Sequence, residues 1–265
     1  MSESYRLIKG RVPLLISMPH NGEKIPTDIA KIMTDKGLEV TDTDWYMDRL
    51  YAFAEQLGAF ILIPEYSRYV IDLNRDPDGV DLYPGANSTE LCPTTGFDLS
   101  PLYKNDNAPD AEQISQRVID YWQPYHQILA STLQSLKQQF GQAVLLEAHS
   151  IRSEVPRFFE GQLPDFNFGS SDGKSCSAAL VEAITNIDYA PYSMVCNGRF
   201  KGGYITRAYG QPQDNIHAIQ LELSQRTYMH ELEMTYHEAF AKQVQPKLKA
   251  LVEVLIDFAQ QPLEK

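Results

Sequence analysis

The sequence predicts an α/β protein built as one domain around a central sheet, and three observations support this. Residues 143–146 are four consecutive apolar residues, which is typical of a strand covered on both faces. Further apolar or alternating runs at 13–18, 59–64 and 217–223 are separated by stretches with helical periodicity. The chain has 265 residues, 43% of them hydrophobic, and it contains no repeat or linker. We therefore expect a large core and a single domain over residues 1–265.

The remaining elements follow from periodicity and from residues that end helices. Gly58 is a natural end for a first amphipathic helix, Pro124 predicts a kink in a second, and Pro246 interrupts a third. A Pro- and Gly-rich loop as long as 76–110 is typical of a lid or a pocket wall. The predicted order is strands at 13–20, 59–64, 69–73, 143–150, 192–196 and 217–224, with helices at 45–57, 110–140, 175–184 and 228–260.

The charge balance narrows the possible partners. With 23 basic and 35 acidic residues the net charge is −12, so neither nucleic acid nor an anionic membrane is an expected partner. The three cysteines are widely spaced and form no Cys-x-x-Cys pair, which argues against a disulfide framework and a thiolate zinc site. Residues 1–5 do not resemble a signal peptide, and no apolar run approaches ~18 residues. We expect a cytoplasmic protein.

Two of the predicted strands end at histidines, His20 and His149. Because ligand-binding groups gather beyond the carboxyl ends of strands in an open α/β sheet, the pair is a candidate metal site. Either histidine alone is also consistent with a structural, hydrogen-bonded residue. Glu147 points to the same side of its strand as His149 and is a possible orienter of that ring.

Two acidic residues near the predicted helix at 45–57 are candidates for a third metal ligand. Asp44 and Asp48 are four positions apart, so either could reach a metal ion held by the two histidines. The alternative is that Asp44 caps the helix and that Asp48 stabilises its first turn through the helix dipole.

Glu222 is the leading candidate for a general acid or base. On its predicted strand Ile219, Leu221 and Leu223 share one face, which leaves Glu222 on the other. A carboxylate in such an apolar strand is costly to bury without a partner, so it indicates either a working group or a structural ion pair.

Four arginines lie in motif-like stretches of this acidic chain: Arg68, Arg75, Arg199 and Arg207. A guanidinium donates two parallel hydrogen bonds to a carboxylate, so these residues are candidate binders of an anionic substrate. The alternative for Arg75 is a surface ion pair with Asp72 or Asp76. The glycines near Arg199 match no nucleotide-binding pattern.

Together these residues indicate metal-assisted hydrolysis of an amide in a small anionic molecule. Two histidines and one carboxylate with an open fourth position are the usual ligand set of a hydrolytic zinc. Zn²⁺ or another divalent ion is therefore the expected cofactor, and Glu222 would handle the proton of the attacking water.

Several short motifs, in their order and number from about residue 10 to about residue 230, resemble those of N-formylglutamate amidohydrolases. The motifs are Pro19-His20-x-Gly22, Asp42-Thr43-Asp44-Trp45, Tyr66-Ser67-Arg68-Tyr69-Val70, Asp72-Leu73-Asn74-Arg75, Leu91-Cys92-Pro93-Thr94-Thr95, Ala148-His149-Ser150-Ile151-Arg152 and Arg199-Phe200-Lys201-Gly202-Gly203-Tyr204-Ile205-Thr206-Arg207.

The resemblance implies hydrolysis of N-formyl-L-glutamate to L-glutamate and formate, a final step of one histidine-degradation route. It implies a three-layer α/β sandwich with a mixed central sheet, of the phosphorylase/hydrolase-like fold that zinc carboxypeptidases share. In such relatives a His-x-x-Glu and a distant histidine bind zinc, an Asn-Arg pair contacts the substrate, and a glutamate on a late strand is the base. His20, the Asn74-Arg75 pair, His149 and Glu222 fall into that order.

Some choices stay open after the resemblance is taken into account. Glu23 completes a His-x-x-Glu with His20, but we expect Asp48 as the third ligand, with Asp44 and Glu23 as alternatives. The acyl group could be acetyl or succinyl instead of formyl. A non-catalytic protein that binds acidic metabolites on the same scaffold is the alternative from another functional class.

Overall fold

The protein is described by a computed structural model that covers residues 4–80, 88–105 and 107–262. Residues 81–87 and 106 of the predicted 76–110 loop, and the two ends of the predicted domain, lie outside the described residues. The strands are β1 Tyr5–Ile8, β2 Leu14–Ser17, β3 Phe60–Pro64, β4 Ala143–Ile151, β5 Phe166–Gly169, β6 Met194–Cys196, β7 Ile216–Ser224, β8 Met229–His230 and β9 Thr235–Tyr236. The helices are α1 Thr27–Ile32, α2 Asp35–Leu38, α3 Met47–Leu50, α4 Phe53–Leu57, α5 Ala111–Arg117, α6 Gln123–Phe140, α7 Ala178–Thr185, α8 Tyr204–Tyr209 and α9 Glu238–Ala259.

Seven of these strands form one mixed sheet in the order β1-β3-β2-β4-β7-β5-β6. The central strands β3, β2, β4 and β7 are parallel, whereas β1 and β5 pair antiparallel with β3 and β7. Glu147 pairs with Gln220 and His149 pairs with Glu222. Since paired residues of neighbouring strands face the same side, all four side chains share one face near the carboxyl ends of β4 and β7.

Helices cover both faces of this sheet. One apolar cluster packs α3, α4, α7 and α9 against it, and a second packs α1, α6 and α8 against the opposite face. The expected three-layer α/β sandwich with a mixed central sheet is therefore confirmed. Among the described helices, none is long and apolar enough to cross a membrane.

The predicted helix at 110–140 begins as expected and then departs from α geometry. The Asp110 side chain accepts a hydrogen bond from the backbone N–H of Gln113, and the Gln113 side chain accepts one from the backbone N–H of Asp110. A π-helical turn at Val118–Trp122 then separates α5 from α6. Pro124 follows this turn at the start of α6, so the irregularity precedes the proline.

One predicted strand is absent and two predicted helices are wrong in part, because the backbone forms turns there that the residue pattern does not reveal. Residues 69–73 form buried turns and no strand. The helix at 45–57 starts only at Met47, after Tyr46 with its left-handed φ of 59°, and it is divided into α3 and α4 at Tyr51 and Ala52. The helix at 228–260 starts only at Glu238, because residues before it form the β8–β9 hairpin, in which Met234 has a φ of 50°.

Candidate active site

The structure brings His20, Asp44 and His149 together at the carboxyl end of the parallel strands. One ligand atom from each lies within 4.8 Å of the others, and all three residues are buried. The two imidazole centroids are 4.7 Å apart. The backbone N–H of Asp44 donates to the carbonyl of His20 at 3.0 Å, which fixes the loop before α3 to the end of β2.

Each histidine uses its second ring nitrogen to contact another buried carboxylate. His20 Nε2 lies 2.6 Å from Asp72, and His149 Nε2 lies 2.6 Å from Glu147. The Nδ1 atoms consequently face Asp44 Oδ2, at 3.8 Å from His20 and 2.9 Å from His149. Carboxylates that orient histidines in this way are typical of metal sites. The donor set fits a divalent ion such as zinc.

The two orienting carboxylates are themselves held in place. Asp72 accepts hydrogen bonds from the backbone of Asn74 at 2.9 Å and from Arg68 at 2.6 Å. Glu147 accepts from both the backbone N–H and the hydroxyl of Thr206, at the start of α8. The histidine rings are therefore held by carboxylates that hydrogen bonds from other segments of the chain fix in place.

The electrostatics of the cluster favour a cation. Burial opposes ionisation of Asp72, but Arg68 and His20 hold the pKa of this carboxyl well below its usual range. Burial, reinforced by Arg68, lowers the pKa of His20 to about 4. Burial has the same effect on His149, yet its hydrogen bonds to Asp44 and Glu147 raise its pKa well above the ordinary value. The site thus stabilises a positive charge on the His149 ring between Asp44 and Glu147, and a metal ion held by His20, Asp44 and His149 would supply positive charge in its place.

A cavity of about 660 Å³, partly open to solvent, lies over this cluster. Its base contains the two histidines and Glu222. Its polar wall contains guanidinium and amide groups, and its outer wall contains aromatic rings. These wall residues are Arg68, Asn74, Arg75, Arg199, Gln220, Phe97, Phe158 and Phe200.

Glu222 has the environment of a proton-transfer group. Its carboxyl lines the cavity and makes no hydrogen bond to any described residue, although the residue is only 8% exposed. Burial raises its pKa to about 8, with His149 acting in the opposite direction. A carboxyl group whose pKa lies near neutrality can both take up and return a proton.

Two donor groups in the polar wall have no hydrogen-bond acceptor among the described residues. Arg68 donates a hydrogen bond from Nη2 to Asp72, while its Nε atom is buried and has no hydrogen-bond partner among the described residues. The Gln220 side chain accepts from the backbone of Gly203 at 2.6 Å, so its oxygen is fixed there and its NH₂ group is left for the cavity. Such donors are suited to an oxygen-rich anionic ligand.

Comparison with known proteins places this geometry in a family. Residues 12–229 match the family model of N-formylglutamate amidohydrolase. The chain belongs to the N-formylglutamate amidohydrolase family. It is 47% identical over 259 residues to an N-formylglutamate deformylase of Pseudomonas aeruginosa, with 97% of each chain covered. It is also 47% identical over 251 residues to one of Pseudomonas putida, with 94% of each covered.

Two solved structures share the fold of this N-formylglutamate amidohydrolase family member. The crystal structure of N-formylglutamate amidohydrolase from Ralstonia eutropha JMP134 matches with a TM-score of 0.81 at 24% identity, over 97% of each chain. A gene product of Agrobacterium tumefaciens matches with a TM-score of 0.71 at 16% identity, over 96% of each. At these identities the matches establish the architecture.

Most of the predicted site residues of this family member line the same cavity. The structure places His20, His149 and Glu222 at its base, as expected for groups at strand ends. The predicted substrate-binding residues at its wall are Arg68, Asn74, Arg75 and Arg199. Arg207 is exposed, does not line the cavity among the described residues, and donates to the carbonyl of Gly202 at 2.9 Å.

The structure does not bring the predicted third ligand Asp48 to the cluster, where Asp44 is found instead. The Asp48 side chain is 46% exposed and forms an ion pair with Arg6 at 3.5 Å. Glu23 is also exposed. The left-handed backbone at Tyr46 separates Asp44 from the helix that starts at Met47, so Asp44 and Asp48 do not share a helical face.

Sequence reasoning missed the supporting roles of Asp72, Thr206 and Gln220. Gln220 had a detectable signal, because it alternates with Glu222 on the same face of one strand. Asp72 and Thr206 belong to motifs that resemble the family, but periodicity gave no signal for their roles, since their positions depend on turns and a short helix. Glu147, expected as a possible orienter of His149, contacts that ring as predicted.

Proposed function

We propose that this chain hydrolyses N-formyl-L-glutamate to L-glutamate and formate with the help of a divalent metal ion such as Zn²⁺. The observation that carries the proposal is that one arginine-lined cavity contains His20 and His149 of the cluster with Asp44, together with Glu222, whose carboxyl makes no hydrogen bond to any described residue. The names of the two Pseudomonas relatives support the substrate.

His20, Asp44 and His149 would hold the metal ion. When bound, such an ion polarises an amide carbonyl and makes a water molecule more acidic. Asp72 and Glu147 keep both imidazoles oriented through the opposite ring nitrogens. Because these carboxyl oxygens accept from the Nε2 atoms, each histidine proton stays at Nε2 and each Nδ1 lone pair would be available to the metal ion.

Glu222 would serve as the proton carrier of the reaction. Its carboxylate takes a proton from the attacking water and passes it to the nitrogen that leaves as the amine of glutamate. Burial raises the pKa of Glu222 to about 8, which makes its carboxylate a stronger base than an exposed glutamate. The apolar surroundings of β7 keep this carboxyl at the cavity and away from bulk water.

The polar wall would bind the two carboxylates and the acyl oxygen of the substrate. Arg68 would stabilise the oxyanion, because its guanidinium contacts Asp72 beside His20 and its buried Nε has no hydrogen-bond partner among the described residues. Arg75 and Arg199 supply charge farther along the wall. Asn74 links this wall to the metal cluster, since its amide nitrogen lies 3.1 Å from His149.

The cellular role of the enzyme and its structural relatives are also proposals. We infer a single-domain, cytoplasmic enzyme that acts late in histidine degradation, with a phosphorylase/hydrolase-like fold related to zinc carboxypeptidases. The chain order of His20, Asn74, His149 and Glu222 supports that relation. The acidic composition supports a small-molecule substrate over nucleic acid.

The deciding experiment compares formate release from N-formyl-L-glutamate with acid release from N-acetyl- and N-succinyl-L-glutamate. We expect kcat/KM for the formyl compound to exceed the others by at least about 100-fold, as a cavity sized for one acyl group would give. A higher kcat/KM for N-acetyl- or N-succinyl-L-glutamate would show that the proposed substrate is wrong. Binding of glutamate with no hydrolysis of any acyl glutamate would indicate the non-catalytic alternative.

A further inference from the structure

Three side chains from one helical run reach across to the loop that carries Asn74 and Arg75. Arg117 donates to the carbonyl of Val70 at 2.9 Å. Trp122 Nε1 donates to the carbonyl of Arg75 at 3.1 Å, and His126 Nε2 lies 2.9 Å from the carbonyl of Leu73. The two carbonyls on either side of Asn74 are therefore both bound by side chains of this run.

The π-helical turn at Val118–Trp122 explains how the three donors share one face. In α geometry residues five positions apart point in different directions, whereas an i to i+5 turn brings them into line. The turn therefore aligns Arg117 with Trp122. Trp122 and His126 are four apart across an α-helical turn and are aligned without it.

The loop depends on these contacts because it lacks regular secondary structure. Residues 69–73 form turns, and both Leu73 and Asn74 are only 4% exposed. A buried carbonyl without a hydrogen-bond donor destabilises the fold. The helical side chains therefore supply the donors that a neighbouring strand would provide in a sheet. The loop they hold places Asn74 beside His149 and Arg75 at the cavity wall.

His126 is itself fixed on both sides. Its ring stacks on Trp122 with a centroid distance of 3.6 Å and an interplanar angle of 15°. Because a carbonyl only accepts, the proton resides on Nε2, and Nδ1 accepts from the Tyr209 hydroxyl at 2.8 Å. Tyr209 ends α8, whose first turn binds both Asn74 and Glu147. His126 thus connects α6 to the supports of the site.

We propose that His126 and Trp122 are positioning residues for substrate binding: their ring N–H groups fix the carbonyls that flank Asn74 and so set the positions of Asn74 and Arg75. This inference rests on the proposed function of those two residues. Neither His126 nor Trp122 touches the cavity among the described residues. Their effect reaches the substrate only through the loop.

The test uses two matched substitutions of His126. The amide nitrogen of Gln occupies nearly the place of Nε2, so His126→Gln keeps the donor to Leu73. The shorter Asn side chain reaches only the place of Nδ1, so His126→Asn loses that donor. We expect KM for N-formyl-L-glutamate to rise on the order of tenfold in His126→Asn and to stay within about threefold in His126→Gln. Trp122→Phe, which keeps a ring but loses the N–H, should resemble His126→Asn.

A double-substitution cycle separates positioning from a general loss of stability. If His126 acts through Arg75, His126→Asn should raise KM by less than about twofold in an Arg75→Ala background. His217→Gln is the control, because His217 is also buried and its Nδ1 accepts from the backbone of Ser177, outside the loop; the Gln amide reaches only the place of Nε2 and loses this acceptor. It should lower Tm without changing KM.

The outcomes distinguish this inference from the proposed function. If the wild-type protein fails to hydrolyse N-formyl-L-glutamate, the proposed function is wrong. Two results with an active wild type would show that the positioning role is wrong. The first is an equal KM in His126→Asn and His126→Gln. The second is an increase in KM caused by His126→Asn that is as large in the Arg75→Ala background as in the wild type. Calorimetric binding of L-glutamate should follow the same pattern as KM, with Kd raised only in His126→Asn.

Discussion

Asp44 Oδ2 lies 2.9 Å from Nδ1 of His149, although the two residues are 105 positions apart in the chain. The contact defines which acid completes the candidate metal site. Asp44 also accepts from the backbone of Ser150 at 3.1 Å, so its carboxylate is fixed against the end of β4. The loop before α3 therefore supplies the ligand, and the helix itself does not.

The first prediction compares Asp44→Asn with Asp48→Asn. The first substitution replaces an anionic ligand by a neutral amide and should weaken Zn²⁺ binding by at least about 100-fold. The second alters an exposed side chain that pairs with Arg6 and should leave the affinity within about twofold. Competition with a chromogenic chelator measures both. Equal loss in the two variants would return Asp48 to the ligand set.

The second prediction concerns Glu222→Gln. The amide keeps the size of the side chain but cannot carry a proton, so kcat should fall by about 10²- to 10⁴-fold. Metal content should stay at the wild-type level, because Glu222 is outside the ligand cluster. Steady-state kinetics with elemental analysis on the same sample provide the check. A variant with near wild-type kcat would remove Glu222 from proton transfer.

The third prediction concerns Gln220→Glu. The carboxylate still accepts from Gly203, but it replaces a cavity-facing donor by a negative charge. Binding of an anionic substrate should weaken, with KM raised by about 10- to 100-fold. Gln116→Glu, on the exposed face of α5, carries the same charge change and should leave KM unchanged. An unchanged KM in Gln220→Glu would show that its amide does not contact the substrate.

The fourth prediction uses the pH dependence of stability. Burial lowers the pKa of His126 from 6.5 to about 4, so below pH 6.5 the unfolded chain takes up a proton that the folded chain refuses. The stability contributed by neutral His126 is complete above that pH and is lost as pH falls towards about 4. The wild type should lose about 3 kcal/mol relative to His126→Gln over this range.

Urea unfolding at about pH 7.5 and about pH 5 tests this sign. The free energy of unfolding of the wild type should approach, or fall below, that of His126→Gln at the lower pH. Since His20 and the other titrating groups are present in both proteins, their contributions cancel in the difference. A difference that does not change between the two pH values would show that folding does not shift the pKa of His126.

The sequence predicted the central strands and the residues at their ends well. The apolar runs that became β2, β3, β4 and β7 are buried, so their length and their flanking residues indicate strands, and alternation then gives the side that His149 and Glu222 face. His20 followed from the same logic. The positions of these residues follow from the local residue pattern and from general sheet geometry, so they can be inferred from a single sequence.

The third ligand and the supporting residues could not be predicted in the same way. The choice between Asp44 and Asp48 depends on one left-handed backbone angle at Tyr46. Tyr69 to Leu73 resembles a strand in composition but is held as turns by side chains such as Arg117, which comes from a helix far along the chain. Such long-range polar contacts have no periodic signal, so only the folded structure reveals them.

The most direct test of the account is metal removal and restoration. Stripping the wild-type protein of metal should abolish formate release from N-formyl-L-glutamate, and about one equivalent of Zn²⁺ per chain should restore it. The same treatment should not restore Asp44→Asn. Full turnover by protein shown to be free of metal would contradict the central claim that His20, Asp44 and His149 act by holding a metal ion.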